Sequence, residues 1–153
     1  YANAAHCAIV EVNVDTGEVE VLDYGVVHDA GTLVNPAMAD GQLLGGIVHS
    51  LGAALYEIFA YSETGQPLSG SYLNYLVPRS TEIPPIKIGH MCSPSPFTAL
   101  GAKGMAEGGG PVPALIASAV EDALKPLVIR ITTSHIAPEG ILSLIQEARA
   151  AEG

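Results

Sequence analysis

The spacing of apolar residues changes several times along the chain, and each change marks an element. Residues 7–14 alternate loosely between apolar and polar and are rich in Val and Ile; residues 19–27 repeat the pattern after Asp15-Thr16-Gly17. Two half-buried runs joined by such a turn predict a β-hairpin, with Gly17 supplying the positive φ. Glu11, Glu18, Glu20 and Asp23 then lie mostly on a wet face. Residues 28–40 contain Gly31, Asn35 and Pro36 and read as a structured loop.

Residues 41–60 switch to helical spacing. Leu43, Leu44, Ile47, Val48, Leu51, Leu55 and Ile58 recur every three or four positions, and Glu57 is the one charge. Asp40 is placed to cap this helix, since a carboxylate can accept an orphan backbone N–H there. A helix so apolar all round is expected to be buried. It falls short of the ~20 continuous apolar residues that a bilayer span requires. Gly45, Gly46 and Gly52 weaken a helix, so they predict the close approach of another backbone or of a ligand.

Further along, residues 61–66 read as a turn around Gly65, and residues 67–85 as mostly extended chain broken by Pro78, Pro84 and Pro85. Residues 86–90 form a short strand, and residues 93–110 a long Pro- and Gly-rich loop of the kind that usually carries function. A helix over 112–124 ends at Pro126, with Pro111 and Pro113 suited to its first turn. A strand over 127–132 and an amphipathic helix over 138–150 complete the chain. The order predicts one α+β domain over 1–153: mixed sheet hairpins packed with a buried glycine-rich helix and two further helices.

Composition narrows the class. With 48% hydrophobic and 14% charged residues, the chain is too apolar for disorder and poor in charge for a fully solvated surface. Six Lys+Arg against 16 Asp+Glu give a net charge of −10. That balance argues against nucleic acid and against an anionic membrane, both of which need clustered cations. Cys7 and Cys92 form no C-x-x-C pair and read as reduced, buried thiols of a cytoplasmic protein, with a single disulfide as the alternative. No secretory leader is expected at residues 1–5, and the missing initiator Met suggests processing or a fragment.

The segment richest in chemistry is Gly101-Ala102-Lys103-Gly104-Met105-Ala106-Glu107-Gly108-Gly109-Gly110. It places one carboxylate in a glycine-rich loop that runs into a helix. Glycines let backbone N–H groups approach an anion, and a helix N-terminus favours negative charge. Apolar flanks around Glu107 would raise its basicity for proton abstraction. The plainer alternative is a surface loop with an exposed Glu. Lys103 could meet an anionic group or form a structural salt bridge. The spacing lacks the Gly-Lys-Ser/Thr of a phosphate loop. The five histidines show no metal-ligand spacing and read as structural or surface residues, while Asp29 and Asn35 read as loop stabilisers. No nucleophile–base motif of the G-x-S-x-G kind is present.

This loop resembles the G-x-K-G-x-G-E element of the xanthine dehydrogenase/aldehyde oxidase family of molybdenum hydroxylases, with Ala106 where the family usually has Gly. Gly41-Gln42-Leu43-Leu44-Gly45-Gly46 resembles its G-Q-x-x-G-G segment, and the hairpin, the Asn35-Pro36 loop, Tyr75–Pro78 and residues 116–124 resemble further family elements in the same order. The resemblance implies the C-terminal portion of the molybdenum-cofactor-binding subunit, and an oxidative hydroxylation of an aldehyde, purine or N-heterocycle with water as oxygen source. It implies Glu107 as general base, and Gln42, Gly104, Met105 and Ala106 as cofactor-binding residues. The metal would be held by a pterin cofactor, in a dinucleotide form, and not by side chains. An amide at Gln42 suits a cofactor contact because it donates and accepts without charge; an ordinary polar residue in a helix's first turn is the other reading. The resemblance also implies partners: the rest of the molybdenum subunit, an iron–sulfur subunit with 2Fe–2S clusters, and a flavin subunit carrying FAD. A catalytically silent binding or scaffold subunit of the same fold is the alternative.

Overall fold

A computed structural model describes residues 1–151; the last two residues of the expected domain lie outside the described residues. Strand β1 (Asn3–Val12) pairs antiparallel with β2 (Val19–Asp29), and β3 (Ile86–Met91) adds parallel to β2, giving a three-stranded mixed sheet in the order β1-β2-β3. The hairpin turn closes on Asn13: its carbonyl accepts the Gly17 amide at 2.7 Å, and its side chain accepts the amides of Asp15 and Thr16. Gly17 has φ +76°, and a Cβ there would stand 2.0 Å from the Pro138 carbonyl oxygen, so the turn needs glycine twice over.

The loose alternation of this hairpin has a cause. The register slips between Ile9 and Val10, so that Ile9 faces Asp23 while Val10 faces Val21. The extra residue, Leu22, lets the inward series change from Val19 and Val21 to Tyr24, Val26 and His28 without breaking the strand.

Helix α1 (Pro36–Leu55) and helix α2 (Val112–Ala123) cover the inner face of the sheet, and α3 (Pro138–Ala151) closes the core from the side of the hairpin turn. Tyr24, Val26, Ile47, Leu51, Val112, Ile116, Val120, Ile141 and Ile145 are the centre of that core. The outer face, with Cys7, Ile9 and Val27, is exposed.

Several expectations change. Helix α1 starts five residues before position 41: Asn35 is its cap, accepting the Met38 amide at 3.2 Å, and Pro36 supplies the first turn. Proline suits that position because its missing N–H would be unpaired there anyway. Asp40 lies inside the helix, and the helix ends at Leu55, where the Tyr56 and Glu57 amides both return to the Gly52 carbonyl. In this chain only the stripe through Ala39, Leu43, Ile47, Leu51 and Ala54 is buried; the opposite stripe is open. Residues 127–132 form no strand. A 3-10 turn (Lys125–Leu127) leads into a left-handed Val128, and the Ile131 amide goes to Glu121 and not to a neighbouring strand. Residues 67–85 are turns and irregular chain, because their prolines leave few donors for a ladder. Cys7 and Cys92 are free and exposed: Cys7 points from the uncovered face of the sheet, and Cys92 follows the last residue of β3.

Candidate functional site

Two chain crossings build the site. At the first, residues 30–32 meet residues 101–103. Gly31 bridges Ala102, the Lys103 amide donates to the Ala30 carbonyl at 2.8 Å, and the Thr32 amide donates to the Gly101 carbonyl at 3.3 Å. Both glycines adopt positive φ, +65° and +74°, and a Cβ on Gly31 would lie 2.2 Å from the Gly101 oxygen. The crossing is thus written in glycine.

Its side-chain counterpart is Asp29. One carboxylate oxygen accepts the amides of Gly31 (2.8 Å) and Ser93 (3.1 Å); the other meets the Lys103 ammonium at 3.2 Å. Both side chains are 11% exposed. Hydrogen bonds from Ser93 first, then from the Gly31 amide, with Lys103 adding, hold the Asp29 carboxyl well below the ordinary carboxylate range against the opposing effect of burial. Of the two roles open to Lys103, the structural salt bridge is the one formed. The expected loop-stabilising part of Asp29 is present, whereas Asn35 serves instead as the cap of α1.

At the second crossing the glycines of the loop lie on α1. A Cβ on Gly109 would stand 2.1 Å from the Gly46 carbonyl oxygen, and one on Gly108 would stand 2.3 Å from Leu43 Cδ2. Gly46 therefore serves the close backbone approach that its presence in a helix predicted. Gly52 serves another: a Cβ there would meet Glu57 Oε1 and Pro78, and Glu57 in turn accepts the Tyr75 hydroxyl at 2.5 Å. Gly41 and Gly45, on the open stripe of α1, have nothing within 4 Å of where a Cβ would be.

The consequence is a juxtaposition. Gln42 is exposed on the turn of α1 that precedes Gly46, and the segment Gly104, Met105, Ala106, Glu107 reaches that same turn through Gly108 and Gly109. Glu107, Gly104 and Ala106 are exposed and Met105 is partly covered. Among the described residues, the backbone amides of 104–109 donate to no protein acceptor. No group of three His, Cys, Asp or Glu side chains suited to hold a metal ion occurs among the described residues. No described helix is long and apolar enough to cross a membrane.

Sequence reasoning passed over one cluster. His28 and His90 are direct cross-strand neighbours, and His6 lies diagonally across on β1, all on the inner face at one end of the sheet. His90 Nε2 pairs with Asp40 at 2.7 Å, and His6 Nδ1 with the Tyr24 hydroxyl at 2.8 Å. His28 is 3% exposed and its Nδ1 has no partner. Its ring lies beside Gly108, with Cδ2 3.9 Å from where a Cβ would stand there. Burial lowers the His28 pKa most, the neighbouring His90 adds, and Asp29 opposes. The even spacing of inward positions was the available signal, but the register that joins the three strands was not legible.

A family model described as molybdopterin cofactor-binding domain matches residues 1–84. The nicotine 6-hydroxylase large subunit of Paenarthrobacter nicotinovorans is 40% identical over 127 residues, covering 82% of this chain and 16% of the relative. The 6-hydroxypseudooxynicotine dehydrogenase complex subunit gamma of the same organism is 36% identical over 149 residues, covering 94% and 18%. The crystal structure of quinoline 2-oxidoreductase from Pseudomonas putida 86 superposes with a TM-score of 0.92 at 40% identity, over 95% of this chain and 19% of that one. The chain thus spans less than a fifth of the length of these proteins. Gln42 falls within the matched family segment; the Glu107 loop lies beyond it, inside the longer alignments.

Proposed function

Since the chain belongs to the molybdopterin cofactor-binding domain family, in the xanthine dehydrogenase/aldehyde oxidase group, we propose that it forms part of the catalytic subunit of a molybdenum hydroxylase and carries that enzyme's general base, Glu107. The observation that carries this reading is the seating of Gly108 and Gly109 on Leu43 and Gly46, which brings the Glu107 loop to the turn that bears Gln42.

The residues present fit a large, uncharged-donor contact of the kind a pterin needs. Gly41 and Gly45 leave open the space that a Cβ would fill on the exposed stripe of α1. Gln42 offers an amide beside it. The amides of 104–109 are uncommitted, and α2 follows them with its N-terminus. Gln42, Gly104, Met105 and Ala106 would hold the cofactor, in a dinucleotide form. When bound, the cofactor supplies the two-electron oxidation. The chain's own part is proton transfer: the Glu107 carboxylate takes a proton as water-derived oxygen is delivered to an electrophilic carbon. The names of two relatives at 40% identity, a nicotine hydroxylase and a quinoline oxidoreductase, support an N-heterocycle as substrate.

The remaining part of the large subunit, an iron–sulfur subunit with 2Fe–2S clusters and a flavin subunit with FAD are the proposed partners, in the cytoplasm. Residues 1–153 then form one portion of a larger cofactor-binding domain. The test is Glu107→Gln in the assembled enzyme. Turnover should fall at least ~10²-fold with molybdenum and pterin content unchanged. Near-normal turnover of the fully loaded variant would refute the assignment, and absence of turnover and of molybdenum in the unmodified complex would favour a silent scaffold.

A further inference from the structure

We propose that the Asp29–Lys103 pair is a positioning device for Glu107, an inference that rests on the reading of Glu107 given above. The loop segment before Glu107 has few anchors. Among the described residues no hydrogen bond ties residues 104–106 to the rest of the chain. The loop is held on one side by Gly108 and Gly109 against α1, and on the other by Lys103. Lys103 is fixed twice, through its amide to Ala30 and through its ammonium to Asp29.

The division of labour at Asp29 gives this pair its meaning. The carboxylate already has the Gly31 and Ser93 amides, so removing Lys103 does not leave a buried charge without donors. A buried ion pair is by itself weak evidence for stability, since an apolar replacement is often as stable. What the pair does fix is where the chain stands four residues before Glu107. An ammonium on a long stem, nearly enclosed and aimed at a carboxylate that is itself held by the Gly31 amide of its own turn and by the Ser93 amide from a distant segment, sets both the height and the direction in which the loop leaves the sheet. General-base catalysis requires the carboxylate within hydrogen-bond reach of the proton it takes, so a displacement of about 1 Å can cost ~10²-fold in rate.

The experiment uses the assembled holoenzyme with Lys103→Met, Asp29→Asn and the double variant, beside Glu107→Gln. Three quantities are read: amide hydrogen exchange, kcat and KM separately, and molybdenum content. In Lys103→Met, exchange should quicken at the bonded amides of the crossing, Thr32, Gly101 and Lys103, while β2 and α1 stay protected. The kcat should fall at least ~10-fold with KM and molybdenum content unchanged. The double variant should be no worse than the poorer single one, because both remove the same link. Unchanged exchange and kcat in Lys103→Met would overturn the proposal. So would exchange quickened equally in β2 and α1, which marks a general stabiliser, or loss of molybdenum with kcat per metal preserved, which marks a cofactor contact. An inactive Glu107→Gln with a tight loop in Lys103→Met would sink the brace alone. An active Glu107→Gln with a loosened loop would sink the base assignment and leave Lys103 as a loop anchor.

Discussion

His28 is held where its charge is unwelcome. It is nearly enclosed, it faces His90 across the sheet, and His6 is diagonal to it. Both His6 and His28 have pKa values below the ordinary 6.5, burial being the first cause in each. A histidine whose folded pKa is depressed binds fewer protons folded than unfolded just below 6.5, so stability is lost as pH falls through that window. Asp29 does not contribute there: its depressed carboxyl adds stability that is full above 3.8 and is lost only as pH falls toward its lowered folded value. The melting temperature of the assembled enzyme should therefore drop between about pH 7 and about pH 5, and His28→Asn should flatten that slope. A melting temperature that is flat over this range in the unmodified enzyme would contradict the argument.

At the scale of elements, the meeting of α1 with the glycine loop is a contact between backbones, and glycines on it are not equivalent. A Cβ on Gly109 would collide with the Gly46 carbonyl at 2.1 Å; one on Gly46 would come to 3.1 Å from the Gly109 amide nitrogen, a tightness that a small shift relieves; one on Gly45 would meet nothing. Gly109→Ala should cost ~1–3 kcal/mol and also lower turnover, because the strain falls on the loop bearing Glu107. Gly45→Ala should hold or raise helix stability by up to ~1 kcal/mol, the difference between glycine and alanine in a helix, and lose cofactor occupancy instead. Thermal melts paired with molybdenum analysis separate the two outcomes. A Gly109→Ala protein that melts and turns over like the parent would show that the loop does not lie on α1.

At the scale of the molecule, the surface is incomplete for a domain standing alone. Tyr72 and Leu73 are 82% and 85% exposed, Phe97 is 94% exposed, and Met38 on the open stripe of α1 is 73% exposed. Ile58, Phe59, Tyr61, Leu68 and Leu76 add to an apolar run over the irregular chain between α1 and β3. Such area is what an obligate interface covers. Residues 1–153 expressed alone should run as oligomers or aggregate on size exclusion, and co-expression with the rest of the large subunit should return them to a defined complex. A soluble monomer that binds the molybdenum cofactor unaided would contradict the proposal that the remaining chain completes the site.

What the sequence determined is local. The hairpin, β3, α2 and α3 follow from period, turn residues and prolines, and the two candidate site segments follow from motifs that survive without knowledge of packing. The start of α1 was also written locally, in Asn35-Pro36, but those two residues read as part of a loop and Asp40 as the cap, which moved the expected boundary inward, because boundaries depend on capping geometry more than on periodicity. What only the tertiary structure decided is contact between distant segments. Whether Lys103 meets an anion or Asp29, which of the glycines receives a neighbour's backbone, and whether three histidines on three strands become neighbours all turn on register and crossing, and strand register is set by which faces pack. The same holds for residues 127–132, whose Val- and Ile-rich composition suits a strand but which pair with no strand among the described residues; the Ile131 amide is taken by Glu121. A sequence prescribes which backbone shapes are cheap at each position, and the packing of remote elements then selects among them, so the chemistry of this site was legible as residues and became a site only through two glycine-lined crossings.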